Sequence, residues 1–118
     1  MTQTDRTLGT AALPDVISSY LEAHQSRRLD AAIGSYTADA SVTDEGKTYS
    51  GADEIRAWLA RSASEYTYTM HKTAAEKIDD DHYDVTHHLE GNFPGGHVDL
   101  HFRFTLLHGR IARLVIEE

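Results

Sequence analysis

The sequence predicts an α+β domain in which three N-terminal helices cover one face of a mainly antiparallel sheet. Two observations predict this class. Apolar residues recur at helical spacing through the first half of the chain, and from about residue 65 they alternate along successive segments. The 118 residues fit one domain, with residues 1–12 expected as a flexible tail and residues 13–118 as a single folded unit.

Composition excludes several classes of partner. The formal net charge is -8 and no stripe of Lys or Arg occurs, so a nucleic-acid backbone would be repelled. No apolar run approaches the roughly 18 residues that a membrane span needs, so no membrane partner is expected. The sequence has no cysteine, which excludes a disulfide framework and a thiolate site. We therefore expect a cytoplasmic protein.

Helical periodicity marks three segments in the first half. The first helix is expected over residues 14–27, where Pro14 suits a first turn and the apolar stripe comprises Leu13, Val16, Ile17, Tyr20, Leu21 and His24. A shorter helix follows in "LDAAIGSYT", with the stripe Leu29, Ala32, Ile33 and Tyr36. Ser50 and Asp53 resemble a capping box, which predicts a third helix that turns Ile55, Trp58 and Leu59 inward.

Alternation with a period of two marks the strands. "ASVTDEGKTYSG", residues 40–51, begins as a short strand through Val42 and is expected to continue as a loop. Four longer segments follow, separated by "DDD", "FPGG" and "HG", which predicts an antiparallel meander. Pro94 and Gly95 suit the central positions of a type II turn, because proline presets the first backbone angle and glycine accepts a positive second one.

The strand faces divide into an inner and an outer set. Along residues 97–107 the inner residues are Val98, Leu100, Phe102, Phe104 and Leu106, and the outer residues are His97, Asp99, His101, Arg103 and Thr105. The preceding strand turns Tyr83, Val85, His87 and Leu89 inward, and His87 is the polar exception among them. If Val42 points inward, Asp44 does so too, at the open end of its strand.

Three segments together resemble a known superfamily. "VISSYLEAHQSRRLDAAIGSYTADASVTDEG", "GADEIRAWLA" and "LHFRF" are similar in order and spacing to the nuclear transport factor 2-like superfamily, which includes SnoaL-like polyketide cyclases and ketosteroid isomerase. The resemblance covers about residues 13–118. It implies a cystatin-like cone, in which three helices pack in the concave face of a curved sheet, a ligand cavity at the open end, and homodimers joined through the outer sheet face.

The comparison with ketosteroid isomerase implies roles for single residues. Asp44 matches the general base, and Tyr20 matches the oxyanion-hole tyrosine, with Tyr36 at a supporting position. Leu100 stands where that enzyme has its second donor, a neutral aspartic acid. Leu59 stands where some isomerases carry a tyrosine that supports the oxyanion hole. Steroid isomerisation is therefore not expected, because donors to the developing oxyanion supply much of such catalysis. His87 is a candidate replacement for the missing donor.

These matches predict a protein that binds a small, largely apolar molecule, with proton transfer of the isomerase, cyclase or dehydratase type by Asp44, Tyr20 and His87. No organic cofactor is expected. The candidate pocket residues are Tyr36, Trp58, Leu59, Leu100, Phe102 and Phe104. The alternative is a non-catalytic ligand-binding or dimerisation module. In that case Asp44 is a turn former, and the tyrosines and His87 are hydrogen-bonded core residues.

The eight histidines raise two further questions. His97 and His101 lie about 13 Å apart along one strand and cannot chelate a metal as a pair, so no metal site is expected. His88, His97 and His101 share the outer face with several carboxylates, and their protonation below about pH 6.5 is predicted to alter dimer strength. A plain solvated face is the alternative.

Overall fold

The computed structural model describes residues 13–65 and 67–118; the predicted tail over residues 1–12 lies outside them. Three helices precede most of the sheet. They are α1 (Asp15–Gln25), α2 (Leu29–Ile33) and α3 (Gly51–Glu65). Six strands are described: β1 (Tyr36–Asp44), β2 (Lys47–Ser50), β3 (Tyr68–Asp79), β4 (His82–Gly91), β5 (His97–Leu107) and β6 (Arg110–Glu117).

All six strands form one sheet in the order β2-β1-β6-β5-β4-β3. The pairing of β1 with β6 is parallel and the other pairings are antiparallel. The register shifts within β1–β6, β3–β4 and β5–β6. Such irregularities bend a strand and increase its twist, so the sheet curves around the helices. The predicted α+β cone is confirmed.

The first helix follows the predicted stripe. Pro14 has no N–H to leave unpaired, and its carbonyl accepts from the N–H groups of Ile17 and Ser18 at 3.0 and 3.1 Å. The side chains of Ile17, Tyr20, Leu21 and His24 are buried, as the spacing predicts. The helix ends at Gln25, shortly before Arg27 takes a left-handed φ of 59°.

Two predictions around the first strand were wrong. The second helix ends at Ile33, and Tyr36 starts β1 instead of completing a helical stripe, because its backbone pairs with Ile111 of β6. The segment after Asp44 is a hairpin rather than a loop. Glu45 and Gly46 have φ values of 53° and 78°, the pair of positive angles typical of a two-residue type I′ turn, and Lys47 then pairs with Asp44.

The third helix and the proline turn match their predictions more closely. The helix begins at Gly51, but the carboxylate that accepts the Ser50 N–H, at 2.8 Å, belongs to Glu54 and not to Asp53. The type II turn is confirmed. The N–H of Gly96 donates to the Phe93 carbonyl at 3.0 Å, and Gly95 has a φ of 88°.

The core lies between the helices and the inner face of the sheet. Its fully buried large side chains include Ile17, Tyr20, Ile55, Leu59, Val85, Phe104 and Leu114. The predicted division of strand faces holds for β4 and for β5, where Phe102 and Phe104 are buried and Arg103 between them is exposed. Toward the start of β5, Val98 and Leu100 are only half-buried, because a cavity opens there between the helices and the sheet.

Candidate functional site

A cavity of about 660 Å³ opens between the helices and the sheet. Every strand except β2 reaches its wall, together with α1, α3 and the turns after β1 and β4. The lining residues are His24, Asp44, Glu45, Gly46, Trp58, Ser62, Tyr68, Met70, Leu89, Phe93, Pro94, His97, Val98, Leu100, Phe102, Ile116, Glu117 and Glu118. This volume falls within the range of small-molecule sites. The wall combines apolar residues with polar ones, four of which are carboxylates.

Asp44 places a carboxylate at the cavity wall. It is the last residue of β1, two positions after Val42, which is completely buried. The indole Nε1–H of Trp58, on α3, donates to Asp44 Oδ2 at 2.9 Å. Trp58 is 2% exposed, so its ring has one packed position from which to hold the carboxylate. Strand alternation and a helix residue 14 positions later therefore fix the direction of Asp44.

Tyr20 and Tyr36 lie in the core behind the wall. The Tyr36 hydroxyl donates to the Tyr20 hydroxyl at 2.6 Å, and the Tyr20 ring also contacts Phe104 edge-on. Burial raises the pKa of both tyrosines, so both are protonated at neutral pH. Neither residue is part of the described cavity wall, so the candidate donor Tyr20 lies outside the surface that a ligand there would contact.

His24 is a wall residue that the sequence showed only as a member of a helical stripe. It lies one turn after Tyr20 on α1, and its ring lies 6.0 Å from that of Trp58. Neither ring nitrogen has a hydrogen-bond partner among the residues that the structure describes. Burial lowers the pKa of His24 to about 4, so the imidazole is neutral at physiological pH.

His87 lies behind the wall on β4. It pairs with Leu100 of β5, and its ring packs against Phe102 with 4.8 Å between ring centroids. Burial, followed by the charges of Lys72 and His24, lowers the pKa of His87 to about 4. Its Nδ1 also lacks a partner within the described part of the chain. His87 is thus a neutral core residue one layer away from the cavity.

The structure brings together some of the predicted site residues and separates others. Asp44, Trp58, Leu100 and Phe102 share the cavity wall. The predicted site residues outside it are Tyr20, Tyr36, Leu59, His87 and Phe104. These side chains are buried where the helices pack directly on the sheet. Period and register indicate which face of a helix or strand a residue occupies. They do not indicate where the helices stop packing directly on the sheet and the cavity begins.

Sequence reasoning missed Tyr68, Met70 and Phe93. Tyr68 and Met70 are alternate residues at the start of β3, so the inward face of "YTYTM" was the signal that could have found them. Phe93 lies in the turn after β4, where alternation gives no guidance.

The charge of the described cavity wall is acidic. The described wall includes four carboxylate residues, Asp44, Glu45, Glu117 and Glu118, and no Lys or Arg. Glu117 also binds Arg103 at 3.0 Å.

Within the described residues no group of three or more His, Cys, Asp or Glu is placed to hold a metal ion. Over the same residues, no helix combines the length and apolar character needed to cross a membrane.

Comparison with known families agrees with this architecture. A family profile for the SnoaL-like domain matches residues 17–114, which span five of the six strands completely and almost the whole helical layer. The chain belongs to the SnoaL-like family. This places it in the nuclear transport factor 2-like superfamily, as the sequence resemblance implies. No curated protein matches the chain.

Solved structures of the same fold differ in their sequence identity to this chain and in their TM-score. A Sinorhizobium meliloti protein, whose assignment as a polyketide cyclase is provisional, is 32% identical with a TM-score of 0.87, over 93% of this chain and 100% of that one. A Mycobacterium tuberculosis protein in complex with estradiol-17β-hemisuccinate is 14% identical, with a TM-score of 0.73 over 87% of this chain and 90% of that one. TerC, co-crystallised with polyporic acid, is 15% identical, with a TM-score of 0.75 over 87% and 88%.

Proposed function

We propose that this SnoaL-like protein binds a small, largely apolar molecule in its cone cavity and that Asp44 transfers a proton at a carbon atom next to a carbonyl. One observation carries the proposal: the Asp44 carboxylate lies in the wall of a 660 Å³ cavity and is held there by the Trp58 indole. Two proteins of the same fold with bound ring compounds support the ligand class.

The chemistry needs no group beyond this chain. Asp44 would accept the proton of the C–H bond, and the electron pair of that bond would move to the carbonyl oxygen to give an enolate. Return of the proton from Asp44 to another carbon of a conjugated ligand gives an isomer. Attack of the enolate carbon on a second carbonyl of the ligand closes a ring, and the new alkoxide takes the proton from Asp44. In a β-hydroxy ketone the enolate expels the hydroxyl group, which leaves as water with the proton from Asp44. Trp58 would keep the carboxylate in position, while Phe102 and Leu100 hold the ring system beside it.

An isotope-exchange assay tests the proton transfer without knowledge of the natural substrate. We expect the protein to accelerate deuterium incorporation next to the carbonyl of 2-tetralone in D₂O, followed by NMR. Asp44→Asn should lower that rate by about 100-fold or more, the usual contribution of a general base. Asp39→Asn is the matched control, because Asp39 is an exposed carboxylate on the same strand. Equal rates for wild type and Asp44→Asn would contradict the assignment.

A second candidate function is ligand binding or dimerisation without turnover. The position of Tyr20 favours it, because the hydroxyl that matches the isomerase donor is bonded to Tyr36 and is not part of the cavity wall. Binding of 2-tetralone without accelerated exchange would identify this case. The ligand itself is best sought by native mass spectrometry of protein purified from its host.

We also propose a homodimer formed through the outer face of β4, β5 and β6. His88 lies between Asp99 and Glu90 at 2.6 and 3.0 Å, and His101 contacts Asp84 at 3.0 Å. The pKa of His88 is raised by its bonds to Asp99 and Glu90. Protonation of His88 offsets the excess of carboxylates on a face whose described arginines include Arg103 and Arg113, so two copies should repel each other less at lower pH.

Sedimentation at pH 5.5 and 7.5 tests the dimer, and we expect tighter association at pH 5.5. A monomer at both values would contradict the proposed interface, and an unchanged dimer constant would leave no role for the histidines. Two broader expectations stay proposals: a cytoplasmic location, tested by cell fractionation, and residues 13–118 as one folding unit, tested by an unchanged unfolding midpoint after removal of residues 1–12.

A further inference from the structure

We propose that Tyr68 donates the hydrogen bond that the carbonyl oxygen of the ligand receives, and so supplies the donor that Leu100 cannot. The inference rests on the proposed function, because it assigns the group that works opposite Asp44. It also specifies the ligand: an uncharged ketone or enone with an acidic C–H next to its carbonyl.

Tyr68 occupies the position that such a donor needs. It is the first residue of β3 and lines the same cavity as Asp44, with Met70 following on the same face. The side chain is half-buried, and its hydroxyl makes no hydrogen bond to the residues that the structure describes. Tyr20 differs in both respects, since it is fully buried and its hydroxyl is bonded to Tyr36.

The backbone around Tyr68 is held by its partner strand. Tyr68 pairs with Gly91, and a Cβ atom built on Gly91 would lie 2.6 Å from Tyr68 Cβ and against the Thr67 carbonyl oxygen. Asn92 and Thr67 share two hydrogen bonds. The Asn92 N–H donates to the Thr67 carbonyl oxygen at 3.1 Å, and the Thr67 N–H donates to Asn92 Oδ1 at 2.9 Å. Only a glycine permits this close approach, so the pair Gly91–Asn92 fixes the position of the Tyr68 backbone and Cβ atom, from which the ring extends.

Charge around the hydroxyl suits a hydrogen-bond donor. Burial raises the pKa of Tyr68, the cation of Arg27 lowers it, and the anion of Asp44 raises it. The hydroxyl therefore keeps its proton at neutral pH. Arg27 and Asp44 both lie within electrostatic range of it. A carbonyl oxygen bound to Tyr68 would thus accept a hydrogen bond from a neutral phenol while Asp44 takes the proton.

The ligand class follows from the chemistry of the wall. One end of the ligand must accept a hydrogen bond from a neutral phenol, and another must present a C–H bond to a carboxylate. The described wall contains no Lys or Arg to balance an anion. An uncharged ketone meets these conditions, whereas a carboxylate on the same ring skeleton would be repelled by Asp44.

The experiment uses 2-tetralone labelled with ¹³C at its carbonyl, in three tyrosine variants and the wild type. Hydrogen bonding to the oxygen moves the carbonyl resonance downfield. We expect this shift in the wild type and in Tyr83→Phe, a buried tyrosine of β4 outside the cavity, and its loss in Tyr68→Phe. Tyr68→Phe should also lower the deuterium-exchange rate by about 100-fold while binding changes less than tenfold, because an oxyanion donor acts mainly in the transition state.

The outcomes separate this inference from the proposed function. Loss of the shift in Tyr68→Phe supports the donor role even if the wild type shows no exchange, a result that would overturn only the Asp44 chemistry. Retention of the shift in Tyr68→Phe, or its loss in Tyr20→Phe alone, would overturn the inference while leaving Asp44 intact. Equal binding of 2-naphthoate and 2-naphthol would contradict the uncharged ligand class.

Discussion

Acid should destabilise this protein through two buried histidines. Burial lowers the pKa values of His24 and His87 to about 4, whereas an unfolded histidine titrates near 6.5. The unfolded chain therefore binds more protons than the folded protein between these two values, and the free energy of unfolding falls as pH falls through this window. The full effect of one histidine is about 3.4 kcal/mol, of which about 1.8 kcal/mol is lost between pH 7 and 5.

Urea denaturation at these two pH values measures the loss. Trp58 is the only tryptophan of the sequence and is buried, so its fluorescence reports unfolding. Carboxylates and His88 also titrate, but their contributions cancel when a variant is compared with the wild type. We expect His24→Phe and His87→Phe each to be about 1.8 kcal/mol less sensitive to acid than the wild type. His71→Gln, an exposed control, should behave like the wild type.

The reasoning would be refuted if both phenylalanine variants lost as much stability as the wild type between pH 7 and 5. That result would mean that the two imidazoles are hydrated or protonated in the folded protein. The two substitutions are independent tests, so failure of one variant to fold leaves the other informative.

Three further predictions concern single contacts, each measured by urea unfolding followed by circular dichroism. Trp58→Phe should cost at least about 1.5–3 kcal/mol, because the hydrogen bond to the Asp44 carboxylate is lost and the smaller phenyl ring leaves part of the buried indole site empty; an effect unchanged in an Asp44→Ala background would show that the bond contributes nothing. Tyr36→Phe should cost about 1 kcal/mol through the lost bond to Tyr20, and a neutral result would contradict that bond. Gly95→Ala should destabilise, because Gly95 has a φ of 88°, whereas Gly34→Ala should stabilise by about 0.4–1 kcal/mol, because Gly34 has a φ of -63°; the same sign for both would be inconsistent with the backbone described.

The order of elements and the inner face of the sheet could be predicted from the sequence, because periodicity reports directly on secondary structure and burial. Val42 and Asp44 are examples: alternation predicts that both point inward, and in the structure Val42 is buried and Asp44 lines the cavity. The hairpin after Asp44 was missed because "DEGKTYSG" lacks the Asn-Gly or Asp-Gly pair that usually marks a type I′ turn.

The cavity wall was harder to predict, because it depends on distances between elements that are far apart in sequence. Leu59 and Trp58 are neighbours on α3, yet only Trp58 reaches the cavity. Tyr20 and His24 are one helical turn apart, and only His24 does so. A pattern can assign these residues to the inner face of a helix. It cannot tell which turn of that helix lies over the closed core and which lies over the open end.

A crystal structure of the protein with bound 2-tetralone tests the central claim most directly. The account predicts the ketone between the helices and the sheet, with the carbon next to the carbonyl about 3–3.5 Å from the Asp44 carboxylate, the distance of a reactive contact. A ketone bound elsewhere, or a cavity closed by the protein's own side chains, would contradict it.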